Sequence, residues 1–181
     1  TAYREIKALR KEVRSREEKV VDSLLLNAQI VLATCVGAAN KALNEIEFDL
    51  VVIDEAAQAL ESACWIPALR GKKLVLAGDH CQLPPTIKST IPDVQKGLGC
   101  TLFERILRLY GDDDEGSTGR VSRMLSVQYR MHKDIADWAS KALYHGRLES
   151  AESVSSRLLS HLSKTSSAWK IVLNSETLIF Q

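Results

Sequence analysis

The sequence has no excess of charge, no closely spaced cysteine pair and no long apolar run, and each absence removes a class of protein. Its 181 residues carry 24 Lys plus Arg against 23 Asp plus Glu, a net charge of +1, so nothing draws the whole chain toward nucleic acid or an anionic membrane. Any contact with nucleic acid has to come from a local patch. The four cysteines, Cys35, Cys64, Cys81 and Cys100, form no C-x-x-C pair, and a secreted disulfide framework would be denser. Reduced intracellular thiols are the expectation. The most apolar stretch, Val20 to Ala39, is interrupted by Asp22, Asn27 and Gln29, and no basic segment followed by an apolar core opens the chain. Neither a membrane span nor a signal peptide is expected. What is present, 45% hydrophobic and 26% charged residues, is the composition of a soluble globular protein with room for one domain or parts of two. Disordered and collagen-like classes are excluded, and no internal repeat is visible.

Residues 3–26 place Ile6, Leu9, Val13, Val20 and Leu24 at helical spacing, with Glu12 and Arg16 four apart, which predicts a long amphipathic helix. Its first 19 residues hold seven basic and four acidic side chains, a face that either meets phosphates or is simply solvated. The apolar runs Ile30 to Val36, Leu50 to Ile53 and Leu74 to Ala77 are continuous rather than alternating, the pattern of strands covered on both faces. Ala56 to Leu69 between the last two reads as a helix, giving a strand, helix, strand crossover with parallel strands. Residues 87–99 carry Pro92, Gly97 and Gly99 without a period and read as a loop or linker. Thr101 to Tyr110 is a helix with Leu102, Phe103, Ile106, Leu107 and Tyr110 as its stripe, and 112–116 is an acidic, solvated loop. Met124 to Val127 reads as a strand and His132 to Tyr144 as a helix burying Ile135, Trp138, Ala142 and Leu143. A weak helical patch at 154–162 and a strand within 169–180 complete the reading.

Chemistry concentrates at three strand ends. Val51-Val-Ile-Asp-Glu55 closes a buried run with two adjacent carboxylates, and open parallel sheets bind ligands just beyond the carboxyl ends of their strands. Neighbouring residues there point different ways, so one carboxylate can hold Mg²⁺ while the other orients a water. The alternative is that Asp54 and Glu55 cap the following helix. After the next run comes Gly78-Asp-His-Cys-Gln-Leu-Pro-Pro85, where the glycine lets the backbone approach a ligand and the prolines stiffen the exit. Asp79 and Gln82 would be held toward the Asp54 and Glu55 site. A metal pair at His80 and Cys81 lacks a second pair at ligand spacing. The third cluster is Gln128-Tyr-Arg-Met-His132. Its arginine either neutralises charge on a transferring phosphoryl group or sits in a structural ion pair, and its tyrosine can stack on a base.

In order and content, Asp54 to Glu61, Gly78 to Pro85 and Gln128 to His132 resemble motifs II, III and IV of superfamily 1 helicases of the nonsense-mediated-decay type, in particular the immunoglobulin-mu-binding-protein helicases. Val31-Leu-Ala-Thr-Cys-Val-Gly-Ala38 is similar to that family's motif Ic, and the charged helix before it to its stalk. The resemblance implies an α/β fold with the RecA-like parallel sheet of P-loop nucleotide hydrolases. It implies a stalk over residues 1–28, the C-terminal half of a first RecA-like domain over 29–90, the start of a second over 98–162, and an unplaced tail at 163–181. It implies ATP and Mg²⁺ as cofactors, with Asp54 binding the metal, Glu55 polarising the attacking water and Gln82 sensing the γ-phosphate beside Asp79. Arg130 would be an arginine finger, Tyr129 would stack on adenine and Thr34 would touch the nucleic-acid backbone. The implied activity is stepping along single-stranded DNA or RNA, usually 5′ to 3′, in the cytoplasm or nucleus.

The chain also departs from the family pattern. A phosphate-binding loop, Gly-x-x-x-x-Gly-Lys-Ser/Thr, does not occur in these residues, since the nearest candidate, Gly71-Lys72, has Ile66 five positions before it and Lys73 after it. The resemblance places that loop ahead of Thr1 and motifs V and VI beyond Gln181. The expectation is therefore a piece of a longer enzyme that alone binds ATP weakly and hydrolyses it little, or else a truncated product that binds nucleic acid or a protein without catalysis.

Overall fold

Short strands form a sheet only when a neighbour serves their backbone groups, and the described residues supply one parallel pair in each of two places. A computed structural model describes residues 2–110 and 121–158. The expectations for 112–116, 169–180 and the tail at 163–181 lie outside the described residues, as does the end of the patch at 154–162. The chain divides into two compact units, Thr1–Arg120 and Val121–Gln181.

In the first unit, helix α1 (Ala2–Asn27) forms where the spacing places it, and Arg16 donates to Glu12 at 2.6 Å one turn away. None of its residues is buried. Ile30 to Val36 is not a strand: it pairs with no strand among the described residues and leads into a turn and a 3-10 turn at Gly37–Ala39, with Ile30 and Leu32 exposed. Apolar continuity does not make a strand where no described segment pairs with its backbone.

Strands β1 (Val51–Ile53) and β2 (Leu74–Leu76) pair in parallel with Val51 opposite Leu74 and Ile53 opposite Leu76. The segment between them is not one helix. Glu55 takes the left-handed conformation at φ 53°, residues Ala56–Gln58 form a 3-10 turn, Ala59 and Leu60 are extended, and helix α2 (Glu61–Ala68) begins only then. Ala59 N–H closes the short turn on Ala56 C=O, and Leu60 C=O opens the new helix by accepting from Ala63 and Cys64. Glu61 falls in the first turn of α2, where a carboxylate meets the positive end of the helix.

The expected loop at 87–99 contains helix α3 (Pro92–Gly99). Pro92 sits in the first turn, where its missing N–H costs no hydrogen bond, and Asp93 and Lys96 match the helix dipole. Its two glycines removed the periodic signal. Helix α4 (Leu102–Tyr110) follows, fixed by a capping box: Glu104 N–H donates to Thr101 Oγ1 at 3.1 Å, and Glu104 Oε2 accepts from Thr101 N–H at 3.1 Å. The core gathers Ile53, Ala56, Cys64 and Leu102, with Leu74, Leu76, Phe103 and Ile106 packed against it. Leu102 therefore ties α4 to β1.

The second unit repeats the parallel pairing in miniature: β3 (Val127–Gln128) lies beside β4 (Glu149–Ser150). The strand is shorter than the expected 124–127 and sits later: the ladder pairs Val127 with Glu149 and Gln128 with Ser150. Helix α5 (Lys133–Leu143) connects the two, and helix α6 (Glu152–Ser155) follows. The buried stripe of α5 is Ala136 and Ser140, whereas Ile135, Trp138, Ala142 and Leu143 are exposed. Burial on this helix is set by Leu148: the Ser140 hydroxyl donates to its C=O at 2.9 Å and accepts from its N–H at 3.1 Å. No described helix is long and apolar enough to cross a membrane.

Candidate functional site

Pairing continues past the ends of β1 and β2. Ala77 N–H donates to Ile53 C=O at 2.9 Å and Ala56 N–H to Ala77 C=O at 2.8 Å, so Asp54-Glu55 and Gly78-Asp79 leave the sheet side by side. Gly78 permits this approach. A Cβ on it would stand 2.8 Å from Ala57 N and 3.1 Å from Ala56 N.

Each of the two loops holds a carboxylate with a glutamine three residues on. Glu55 is a non-glycine residue at positive φ, a conformation that costs roughly 1–3 kcal/mol and persists where surroundings over-determine it. The 3-10 turn after it eclipses residues three apart, and Gln58 Nε2 accordingly donates to Glu55 Oε2 at 3.0 Å. Asp54 Oδ1 accepts from Glu55 N–H at 3.0 Å. In the second loop Asp79 Oδ1 accepts from Cys81 N–H at 2.9 Å, and Oδ2 accepts from Gln82 Nε2 at 2.7 Å. Asp54, Glu55 and Gln82 are exposed. Asp79, His80 and Cys81 offer ligand atoms within 4.8 Å of one another, but both Asp79 oxygens already accept hydrogen bonds.

Behind the site, Glu61 accepts a two-pronged contact from Arg105: Nε lies 3.0 Å from Oε2 and Nη2 lies 2.7 Å from Oε1, with Trp65 Nε1 adding 3.1 Å to Oε1. Those donors, Arg105 first, hold the Glu61 carboxyl below its usual range, and Glu61 in turn raises Arg105. The contact clamps α2 to α4, and Phe103 of α4 approaches His80 with ring centroids 6.3 Å apart. Burial pushes the Cys64 thiol up, with Cys35 beside it adding to the effect, which makes Cys64 a packing residue. Thr34 lies in the exposed turn before Ala38, where its Oγ1 accepts from Gly37 N–H at 2.9 Å.

In the second unit, Tyr129 and Arg130 follow β3. Tyr129 is 71% exposed, and Arg130 is exposed with no ion pair among the described residues. The structural ion pair that was the alternative for Arg130 is therefore absent there. Gln128 Oε1 accepts from the backbone N–H groups of Arg130 and Met131 at 2.8 and 2.9 Å. Its Nε2 donates to Met131 C=O at 2.7 Å and to Ser150 Oγ at 2.6 Å. His132 Nδ1 caps α5 by accepting from Asp134 N–H.

Two family models, each described as an AAA domain, match the chain, one over residues 1–90 and the other over 98–179. The chain belongs to this AAA-domain family. It is 49% identical over 162 residues to the DNA-binding protein SMUBP-2 of Mesocricetus auratus, covering 87% of this chain and 16% of that protein. It is 40% identical over 160 residues to the DNA polymerase alpha-associated DNA helicase A of Schizosaccharomyces pombe, covering 88% and 22%. It is 37% identical over 145 residues to a regulator of nonsense transcripts 1 homolog of Arabidopsis thaliana, covering 80% and 10%. The chain thus spans less than a quarter of the length of each. The short parallel sheets with their connecting helices are those of the RecA-like α/β fold.

Of the residues singled out in the sequence, Asp54, Glu55, Asp79 and Gln82 share one end of the β1 and β2 sheet, Thr34 stands in a separate turn of the same unit, and Tyr129 and Arg130 belong to the other unit. Sequence reasoning placed Gln128 in the third cluster without a role for it, and missed the contacts of Gln58 and the Glu61 to Arg105 clamp. The offset of three from each carboxylate was the available signal for Gln58.

Proposed function

We propose that this chain carries the nucleotide-hydrolysing and strand-contacting residues of an ATP-driven helicase or translocase acting on single-stranded DNA or RNA, in the cytoplasm or nucleus. The observation that carries the reading is the emergence of two carboxylates and the Asp79 and Gln82 loop side by side at the carboxyl end of a parallel strand pair, the position at which such sheets bind ligands. The oxygen donors of Asp54 and Glu55 suit a hard divalent cation such as Mg²⁺, and Asp54 is the residue that would hold it. When bound with ATP, the cation supplies neutralisation of phosphate charge.

The chain's own groups do the rest. Glu55, braced by Gln58, accepts a hydrogen bond from the attacking water and orients it for in-line displacement. Gln82 donates its amide to the γ-phosphate when it leaves Asp79. Arg130 brings a free guanidinium to the transferring group, as an arginine finger does, and Tyr129 offers its ring face to adenine. Thr34 contacts the strand backbone, which carries no sequence information and suits a motor.

The test is strand displacement by a form extended to include a phosphate-binding loop, on duplexes with a 5′ or a 3′ overhang, in DNA and in RNA. ATP-dependent displacement confined to the 5′ overhang is expected. Absence of displacement on every substrate despite ATP turnover would contradict a helicase. A second reading, a non-catalytic binding module, is favoured by the absence of Gly-x-x-x-x-Gly-Lys-Ser/Thr from these 181 residues. It expects ATP-independent, salt-sensitive binding of single strands by the chain as it stands, and no binding at low salt rejects it.

A further inference from the structure

We propose that Gln128 is a positioning residue for Arg130, an inference that rests on the reading of Arg130 as a nucleotide contact. Between the end of β3 at Gln128 and His132, whose C=O opens α5 by accepting from Ile135 and Ala136 N–H, the backbone groups of residues 129–131 make no backbone–backbone hydrogen bond among the described residues. A turn of this kind is held by side chains or wanders. A side-chain amide can make four hydrogen bonds, two through its oxygen and two through its nitrogen. Gln128, half-buried, makes all four: to Arg130 N, Met131 N, Met131 O and Ser150 Oγ. The last contact, with Ala151 N–H donating to Gln128 C=O at 3.0 Å, moors the turn to β4. The backbone of Arg130 is thereby fixed while its guanidinium stays exposed and unpaired among the described residues. That combination, a fixed base and a free charged tip, is what preorganisation for a developing charge requires.

The test has two parts. In the 181-residue chain, hydrogen exchange at the Arg130 and Met131 amides is compared between the wild-type sequence, Gln128→Ala and Gln128→Glu. Gln128→Ala is expected to speed both by about tenfold or more, the loss of one charge-free hydrogen bond each. Gln128→Glu keeps both acceptor contacts and is expected to fall nearer wild type. Unchanged exchange in Gln128→Ala overturns the proposal.

In the form extended to carry a phosphate-binding loop, ATP turnover is measured for Gln128→Ala, Arg130→Ala and the double variant. Gln128→Ala is expected to lower kcat by about tenfold, and the double variant to be no slower than Arg130→Ala, because a residue acting through Arg130 has nothing left to position. A double variant slower by the product of the two single losses overturns the proposal, since it makes Gln128 a general stabiliser. Full turnover by Arg130→Ala overturns the reading of the site itself. Loss in Arg130→Ala alongside wild-type turnover in Gln128→Ala overturns the positioning role only.

Discussion

Gly78→Ala places one methyl group where the two site loops touch, and its cost follows from the geometry. The new Cβ would lie 2.8 Å from Ala57 N, 3.1 Å from Ala56 N and 3.3 Å from Ala57 Cβ. Two of these neighbours are backbone amides at the buried start of the 3-10 turn, so none can swing aside as a lysine tip would. The loops must separate, at the expense of the 2.8 Å hydrogen bond from Ala56 to Ala77. Overpacking of this kind costs about 1–3 kcal/mol, which is roughly one to two powers of ten in the folding equilibrium of the unit. Gly97→Ala is the control. Nothing lies within 4 Å of its Cβ and it sits in α3, so the same substitution is expected to stabilise by about 0.5–1 kcal/mol. Urea unfolding followed by circular dichroism reads both. Opposite signs are expected, and a Gly78→Ala midpoint equal to or above wild type refutes the account of the loop contact.

Thr101→Ala removes the cap of α4 and is expected to cost about 0.5–2 kcal/mol, with Thr101→Ser close to wild type; thermal melts distinguish them. Trp138→Ala is expected to cost less than about 0.5 kcal/mol, because the side chain is 72% exposed, whereas a core tryptophan loses about 3–5 kcal/mol on truncation. Glu61 has its carboxyl held low by Arg105, so the pair's contribution is fully present above the unfolded-state value and fades as pH falls through the lowered folded one. Arg105→Ala should therefore destabilise at neutral pH and match wild type below both values, as urea midpoints at the two pH values will show.

How much of this was legible depends on whether a feature is local. The runs read at 50–53 and 74–77 pair over 51–53 and 74–76, the Glu12 to Arg16 pair forms, and the stripe of α4 packs through Leu102, Phe103 and Ile106 while Tyr110 stays exposed; each follows from nearest neighbours in the sequence. Ile30 to Val36 has the same apolar character as β1 but lacks a partner among the described residues, and a strand is a property of two segments. On α5 the larger residues, Trp138 and Ile135, outweigh Ala136 and Ser140 in any hydropathy reading, yet the small residues are the buried ones, and Ser140 bonds the backbone of Leu148. Glycine content concealed α3, although Pro92 and Asp93 gave a start signal. The carboxylates of the site were visible because they end apolar runs. The contacts of Gln58 and Gln128 were not, because a glutamine's partners are decided by a left-handed Glu55 and by a turn moored to Ser150, neither of which leaves a mark in composition or period.

The most direct measurement is ATP hydrolysis, with and without single-stranded DNA or RNA, by a form of this chain extended to include a phosphate-binding loop, comparing the natural sequence with Glu55→Gln. Strand-stimulated turnover that falls to background in Glu55→Gln is the predicted result. Turnover in Glu55→Gln equal to that of the natural sequence would contradict the assignment of the paired strand ends as the hydrolytic site.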